Sequence, residues 1–398
     1  MQLPKVPSAA THIFDARDLL DCEQGPDGPS TRTGAFAPRL LLKIDMRIRT
    51  QLWADPKFQI FSKSTARQNG AVLADWSWLH PAQAPHIGGN CQPAVHDISY
   101  DATKGNKMLS RSARPIIDMR SRPAFLHKFF GSTPSTPEYE VVRWLNKRVG
   151  SRDVDHFARA RDTKGFLAEM DTAGISAAVM VARSVPGVRV SNDDLAEVAR
   201  TAPDRLFAIA SIDPIDLGVD NAVAEAKRAV KVLGHKGVNI DAGFYVTPLK
   251  ANDDLLMPIY ELCETLGVPA FVMSGPTTGD LTFNDPFALD VVAQTFPKLK
   301  IVCCHGFYPR VADIITVAFR NENVFVSPDM YTFAPGGGLY VEAANGFMKD
   351  QFLFGSSYPF RPMKQGVEDF QALGLTDDAY AAATYRNAER LFGLHAYA

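Results

Sequence analysis

The chain has 398 residues, of which 46% are hydrophobic and 22% charged, and its formal net charge is -2 at pH 7. This composition is typical of a folded globular protein and excludes wholesale disorder. The nearly balanced charge gives no electrostatic reason to expect nucleic acid or an anionic membrane as a partner, and no apolar run approaches the roughly 20 residues that cross a bilayer.

The cysteines give no sign of a disulfide framework. There are five, and none belongs to a CxxC pair: Cys22, Cys91, Cys263, Cys303 and Cys304. The N-terminal segment also contains no apolar stretch of the kind found in secretory signals. We therefore expect a reduced, cytoplasmic protein.

Residues 1–107 differ in character from the rest of the chain. Proline and glycine interrupt each short apolar run, as in PHIGGNCQP at 85–93, and no periodicity is sustained. Two interpretations fit this stretch. It is either a genuine, loop-rich N-terminal extension, or it is foreign to the natural protein, whose start is then Met108, because MLSRSARPIID reads as a short leader into a first strand.

From residue 113 onward, short apolar runs alternate with amphipathic segments. The runs are rich in Val, Ile and Phe and are continuously hydrophobic, which indicates strands covered on both faces, as in a parallel sheet. The predicted strands are 113–119, 175–182, 205–212, 237–241, 267–273, 299–305, 323–329 and 350–356.

The segments between these runs carry helix signals. Glycines follow the predicted helices 162–173, 216–233 and 252–266, where they favour helix ends. Eight strand and helix units over about 285 residues, in 108–398, predict an α/β fold of the (β/α)8 TIM-barrel type. A doubly wound open sheet is the alternative, but no GxGxxG turn follows the first strand. The insertion 123–161 is expected at the carboxyl-terminal rim of the barrel.

Four segments in the later part of the chain follow a familiar order. They are IIDMRSRP (116–123), PAFVMSG (269–275), FPKLKIVCCHG (296–306) and FGSSYPF (354–360). They resemble the amidohydrolase-related family, the branch of the amidohydrolase superfamily that includes aminocarboxymuconate-semialdehyde decarboxylase. The resemblance implies the barrel and a divalent metal at the strand ends. It also implies assembly into dimers or tetramers, so a second copy of the chain is a candidate partner.

This chain departs from the family pattern at the metal positions. Arg120 and Arg122 stand in place of two histidines, Met273 in place of a third, and Ser357 in place of an aspartate, while His305 is kept. A guanidinium has no lone pair to donate and carries a fixed positive charge. One imidazole and one thioether do not make a zinc or manganese site. We therefore predict a site with no metal and no other cofactor.

The arginine pair suggests an anion site instead. Arg120 and Arg122 are two residues apart on an extended segment and therefore point the same way, and their planar forks match a carboxylate or phosphate. We predict that they anchor a small anionic substrate. The alternative is that they pair with nearby acids such as Asp118 or Asp241.

His305 is the candidate general acid or base, because its ordinary pKa lies near neutrality. Asp241 and Asp329 follow predicted strands and are candidates to orient His305 or a water molecule. The alternative is that His305 is an inert remnant of the family site. By the alternation of a strand, Cys303 is expected to face the same way as His305, and Cys304 to face the helices.

The remaining candidates are polar or soft side chains at strand ends. Met273, Ser274, Tyr331, Ser357 and Tyr358 are predicted to line the substrate pocket. The function expected from these residues is metal-independent hydrolysis of a small carboxylated lactone, ester or cyclic amide. Two alternatives stay open: a non-oxidative decarboxylase or C–C lyase, and a non-catalytic binding homologue.

Overall fold

The structure, a computed structural model, describes residues 114–126, 131 and 133–393. Both interpretations of residues 1–107, including a start at Met108, concern residues outside this set. None of the described helices combines the length and the apolar character that a bilayer span requires.

The described residues form a parallel sheet whose strands pair in chain order. The sheet strands are β1 (Ile117–Ser121), β2 (Ala177–Val181), β5 (Leu206–Ile212), β6 (Val238–Ile240), β7 (Ala270–Met273), β8 (Ile301–Cys304) and β9 (Val324–Ser327). A separate antiparallel hairpin joins β3 (Ser184–Val185) to β4 (Val188–Arg189). Every neighbouring pair in the main sheet is parallel, as the continuous hydrophobicity of the strands predicted.

An irregular segment closes this sheet into a barrel. Leu353 N donates to the carbonyl oxygen of Val326 in β9 at 3.0 Å, and Met119 N in β1 donates to the carbonyl oxygen of Phe354 at 2.9 Å. The run 350–356 therefore lies between β9 and β1, in the place of the predicted eighth strand, although its ladder is too short to count as one. The predicted TIM barrel is confirmed.

Helices surround the sheet. They are α1 (Pro137–Arg148), α2 (Thr163–Ala173), α3 (Asn192–Arg200), α4 (Pro214–Leu217), α5 (Val219–Arg228), α6 (Met257–Leu266), α7 (Pro286–Thr295), α8 (Val311–Arg320), α9 (Gly338–Ala344), α10 (Met363–Gln371), α11 (Asp377–Ala381) and α12 (Asn387–Phe392). A π-helical turn follows α5 at Ala229–Leu233, and another joins α11 to α12 at Ala382–Arg386.

Local sequence explains where several helices begin and end. Asp162 accepts a hydrogen bond from Gly165 N at 2.7 Å and caps α2, which ends at Gly174 in the left-handed region. The single helix predicted over 216–233 is instead divided, because Gly218 adopts a φ of 77° between α4 and α5. A positive φ is accessible to glycine at little cost.

Two apolar layers hold the barrel together. One lies between the sheet and the surrounding helices, and the other fills the barrel interior and includes Ala388 and Leu391 of α12. Cys303 belongs to the first layer and Cys304 to the second, so the predicted orientation of the two cysteines is reversed. The expected alternation of side chains from Cys303 to His305 fails, because His305 lies beyond the end of β8 and adopts a φ of 64°, which is not a strand conformation.

A glycine before β6 provides a test of this packing. A Cβ at Gly237 would lie 2.7 Å from the carbonyl oxygen of Pro269, which accepts the hydrogen bond of Val238 N. We expect Gly237→Ala to lower the free energy of unfolding by about 1–3 kcal/mol, as measured by urea denaturation. The control is Gly338→Ala at the start of α9, where a Cβ meets open space. This substitution should not lower the free energy of unfolding. Equal stability of both variants would contradict this account.

Candidate active site

Three of the predicted site residues lie at strained turns where strands end. His305 follows β8, Asp329 follows β9 and Ser357 follows the closing segment, with φ values of 64°, 58° and 61°. Residues other than glycine rarely adopt positive φ, and such strain collects at functional sites. The carboxyl ends of the strands are also where TIM-barrel enzymes place their chemistry. The candidate site is therefore at this end of the barrel.

The centre of the site is a contact between an arginine and the retained histidine. Arg120 Nη2 lies 2.8 Å from His305 Nε2, and Arg120 Nη1 donates to the sulfur of Met273 at 3.0 Å. His305 Nδ1 lies 3.2 Å from Asp329 Oδ2. A guanidinium can only donate, so Nε2 accepts and the ring proton belongs on Nδ1, facing Asp329. The structure thus brings together Arg120, Met273, His305 and Asp329.

A bulge in β1 makes this contact possible. The pairing of β1 with β2 changes register between Asp118 and Ser121, and Met119 packs in the barrel interior. The side chain of Arg120, the next residue, nevertheless reaches His305. Strict alternation would send adjacent side chains to opposite faces.

The surroundings of His305 keep its ring neutral. Burial and, to a smaller extent, the positive charge of Arg120 lower its pKa to about 3, against the opposing effect of Asp329. At neutral pH the imidazole therefore carries one proton and no charge. Its only lone pair is on Nε2, and that lone pair is occupied by Arg120.

Two further arginines complete a buried group of cations, which we call the arginine cluster: Arg120, Arg122 and Arg183. Burial lowers the pKa of Arg122, and the charges of Arg120 and Arg183 add to this effect. Arg183 Nη2 lies 2.9 Å from Asp241 Oδ1. Asp241 thus pairs with Arg183 in this structure, and the contact between His305 and a carboxylate is made by Asp329.

Asp118 has a different role from the one considered for it. Its carboxylate accepts hydrogen bonds from Ser356 N at 2.8 Å and Arg120 N at 3.0 Å, and it lies 2.5 Å from Ser356 Oγ. Burial raises its pKa to about 7. Asp118 therefore joins β1 to the closing segment and is partly protonated near neutrality.

The other predicted lining residues divide into two groups. The edge of the Tyr331 ring faces His305, with ring centroids 5.3 Å apart. Ser274 Oγ donates to the carbonyl oxygen of Cys304 at 2.6 Å and accepts from Phe307 N at 2.8 Å, so it braces the turn that carries His305.

Ser357 and Tyr358 serve the closing segment. Ser357 Oγ accepts from Met330 N at 3.3 Å. The Tyr358 ring instead packs edge-on against His156 and Phe166, away from the arginine cluster. The structure does not bring Tyr358 into the site.

Two adjoining cavities open beside the cluster, with volumes of about 320 Å³ and 470 Å³. His305 and Arg183 line the smaller one, and Tyr331 lines the larger. Trp144 and Leu145 of α1 line both, so the predicted insertion 123–161 contributes to the mouth of the barrel.

The residues present do not fit the divalent metal that the family resemblance implies. The Nε2 atom that would bind a metal holds a guanidinium, whose charge would repel the ion. Within the described ranges, no group of three or more His, Cys, Asp or Glu side chains is placed to hold a metal ion.

Arg183 was not among the predicted site residues. It directly follows the predicted strand 175–182, two residues beyond the end of β2, and its side chain is almost buried. A charged residue immediately after an apolar strand is the same signal that pointed to Asp241 and Asp329, so the sequence contained the information.

A family model described as amidohydrolase matches residues 155–394. The chain belongs to this family. The matched stretch begins after β1, so Arg120 and Arg122 lie outside it. No curated protein matches the chain in sequence.

Solved structures share the amidohydrolase barrel. The uncharacterized TIM-barrel protein Bb4693 from Bordetella bronchiseptica is 33% identical, over 70% of this chain and 99% of that one, with a TM-score of 0.63. A 2,6-dihydroxybenzoate decarboxylase from Rhizobium is 18% identical over 71% and 99%, with a TM-score of 0.52. A dihydroxybenzoic acid decarboxylase from Polaromonas sp. JS666, with bound manganese and the inhibitor 2-nitroresorcinol, is 18% identical over 71% and 97%, with a TM-score of 0.51.

The protonation state of His305 can be measured. We expect its ring to stay neutral, with the proton on Nδ1, down to about pH 5, because its pKa is about 3. In the unfolded chain the ring takes a proton near pH 6.5, so this group stabilises the fold above that pH and its contribution is lost as the pH falls toward 3. Nitrogen-15 NMR, assigned with His305→Asn, tests this, and a ring titrating near 6.5 would refute it.

The influence of Arg120 on His305 gives a second test. Arg120→Met removes both the neighbouring positive charge and the donor to Nε2 while keeping much of the volume. We expect the pKa of His305 to rise in this variant, as followed by the same NMR titration. Arg189→Met removes an exposed arginine that pairs with Asp216 and should leave the titration unchanged. An unshifted pKa in Arg120→Met would show that Arg120 does not contribute to the lowered pKa of the ring.

Proposed function

We propose that this protein is a metal-independent lyase that removes CO₂ from a small carboxylated substrate. The observation that carries the proposal is the guanidinium of Arg120 on the Nε2 atom of His305, within a buried group of positive charges.

The arginine cluster supports an anionic substrate. Three guanidinium groups lie with two paired carboxylates, Asp241 and Asp329, while burial raises the pKa of Asp118 to about 7 and leaves it only partly ionised near neutrality. The resulting excess of positive charge is costly in a buried setting and is relieved when an anion binds. A carboxylate also matches the planar fork of arginine.

His305 supports a proton transfer to carbon. Because Nε2 accepts from Arg120 in the free protein, protonation of this nitrogen requires that contact to open. An anion bound beside the ring favours the change, because it attracts the guanidinium and raises the pKa of the imidazole. His305 then takes a proton from solvent on Nε2, and Asp329 stabilises the imidazolium from Nδ1. When the C–C bond to the carboxylate breaks, its electron pair stays on the substrate carbon. The proton on His305 moves to that carbon, and CO₂ leaves with no water consumed.

Hydrolysis, the function expected first from the sequence, has less support. A hydrolase without metal needs a base to activate water, and a base is most effective when its pKa lies near the working pH. The pKa of His305 is about 3 and its lone pair is engaged by Arg120. Proteins of the same fold that act as decarboxylases on dihydroxybenzoates are consistent with the lyase alternative.

Metal independence is the part of the proposal that separates this chain from such relatives. The Polaromonas decarboxylase holds manganese. In this chain the fixed charge of Arg120 beside His305 supplies the positive charge from the protein itself. Arg120 therefore takes over the electrostatic part of a metal's task, with no open coordination position for water.

The reaction can be tested with purified protein and a panel of aromatic and unsaturated carboxylic acids. We expect CO₂ release that persists after exhaustive chelation, without incorporation of ¹⁸O from labelled water into the product. His305→Gln should lower turnover by about 10²–10⁴-fold. His235→Gln, which removes a buried imidazole bonded to the Asn192 carbonyl, is the matched control for lost stability.

Three results would contradict the proposal. Labelled oxygen in the product indicates hydrolysis, and activity restored only by added zinc or manganese indicates a metal enzyme. Ligand binding with no turnover of any acid in the panel indicates a non-catalytic binding homologue.

A further inference from the structure

The smaller cavity has one positively charged wall. Arg183 lines it beside His305, and its side chain is 10% exposed. Arg120 and Arg122, by contrast, are completely buried and do not line this cavity. Arg183 is therefore the member of the arginine cluster that a molecule in this cavity contacts.

Arg183 is held in a fixed orientation. Its guanidinium lies over the ring of Phe244, 4.3 Å from the ring centroid, and Asp241 holds it at 2.9 Å. Asp241 is itself fixed by Asn239 Nδ2, which donates to it at 2.9 Å. Such a fork is already ordered before a ligand arrives, so less entropy is lost on binding.

Part of this fork has no hydrogen-bond partner among the described residues. The Nε atom of Arg183 is buried and donates no hydrogen bond to any residue that the structure describes. A buried donor of this kind is costly until it is satisfied. Asp241 pairs with Arg183, but the arginine cluster still carries an excess of positive charge after that pairing.

Most of the remaining cavity wall is apolar. Its walls include Val185, Phe244, Trp144 and Phe360, with the ring of Tyr245 beside them. A volume of about 320 Å³ admits a single-ring molecule, and flat apolar walls favour a flat apolar body.

We propose that Arg183 is the residue that binds the carboxylate of the substrate, and that the substrate is a small acid with a flat, apolar body. Asp241 is a positioning residue that holds the guanidinium of Arg183 by an ion pair. This inference rests on the proposed function in taking the substrate to be carboxylated, and it adds the residue that recognises it and the shape of the molecule.

Benzoate is a suitable probe, because it combines a carboxylate with a flat apolar ring. Isothermal titration calorimetry should detect benzoate binding to the full chain, and Arg183→Gln should weaken it by about 10- to 100-fold. Arg183→Lys keeps the positive charge but lacks the planar fork, so its benzoate affinity should lie between those of the wild type and Arg183→Gln. Arg189→Gln, an exposed arginine in the adjacent hairpin, is the control and should bind as the wild type does.

Benzamide separates charge from shape. It has nearly the same shape as benzoate and no charge, so its affinity should be low and should change little in Arg183→Gln. Urea denaturation of each variant confirms that it is folded. If Arg183→Gln does not fold, the Arg183→Lys variant carries the test. Absence of benzoate binding to the wild type, or undiminished binding to the folded variants, would overturn the inference.

The outcome also distinguishes this inference from the proposed function. Benzoate binding that depends on Arg183, without CO₂ release from any acid, leaves the anion site in place and refutes the lyase. CO₂ release with an unchanged KM in Arg183→Gln supports the lyase and refutes the role of Arg183.

Discussion

The contact between the Arg120 guanidinium and the His305 imidazole controls the chemistry that this site can perform. It occupies the lone pair through which a histidine would bind a metal or remove a proton from water. It also lowers the pKa of the ring and adds a fixed positive charge to the barrel interior. The neutral histidine and the poor fit for a divalent ion both follow from this one interaction, and the proposed anion site depends on it.

The closing segment of the barrel holds that contact in place. Asp118 joins β1 to Ser356, and a Cβ at Gly355 would lie 2.9 Å from Arg120 Cβ and would overlap the Asp329 carboxylate. Only glycine allows the backbone to pass so close to both side chains. The closing segment takes the place of a regular eighth strand, and its turns contact both β1 and the residues that follow β9. The irregular shape of this segment is therefore linked to the site.

Much of the fold could be predicted from the sequence, because it depends on local patterns. Continuous apolar runs separated by amphipathic segments predicted the parallel barrel, and Gly174 ends α2 as expected. The prediction failed where a single backbone angle matters, as at Gly218, which divides a helix, and at His305, where a positive φ reverses the orientation expected for Cys303. Periodicity carries no information about such angles.

The amino-acid sequence identified the residue types of the site: two arginines, a methionine and a serine where metal ligands were expected, with one histidine retained. It could not decide which charges pair, because that depends on distances between strands far apart in the chain. Tertiary structure alone assigned Asp329 to His305 and Asp241 to Arg183, and moved Tyr358 out of the site. Residue identity sets the charge that each side chain carries, but burial and close approach in the folded barrel decide the pKa of each group and the partner it holds.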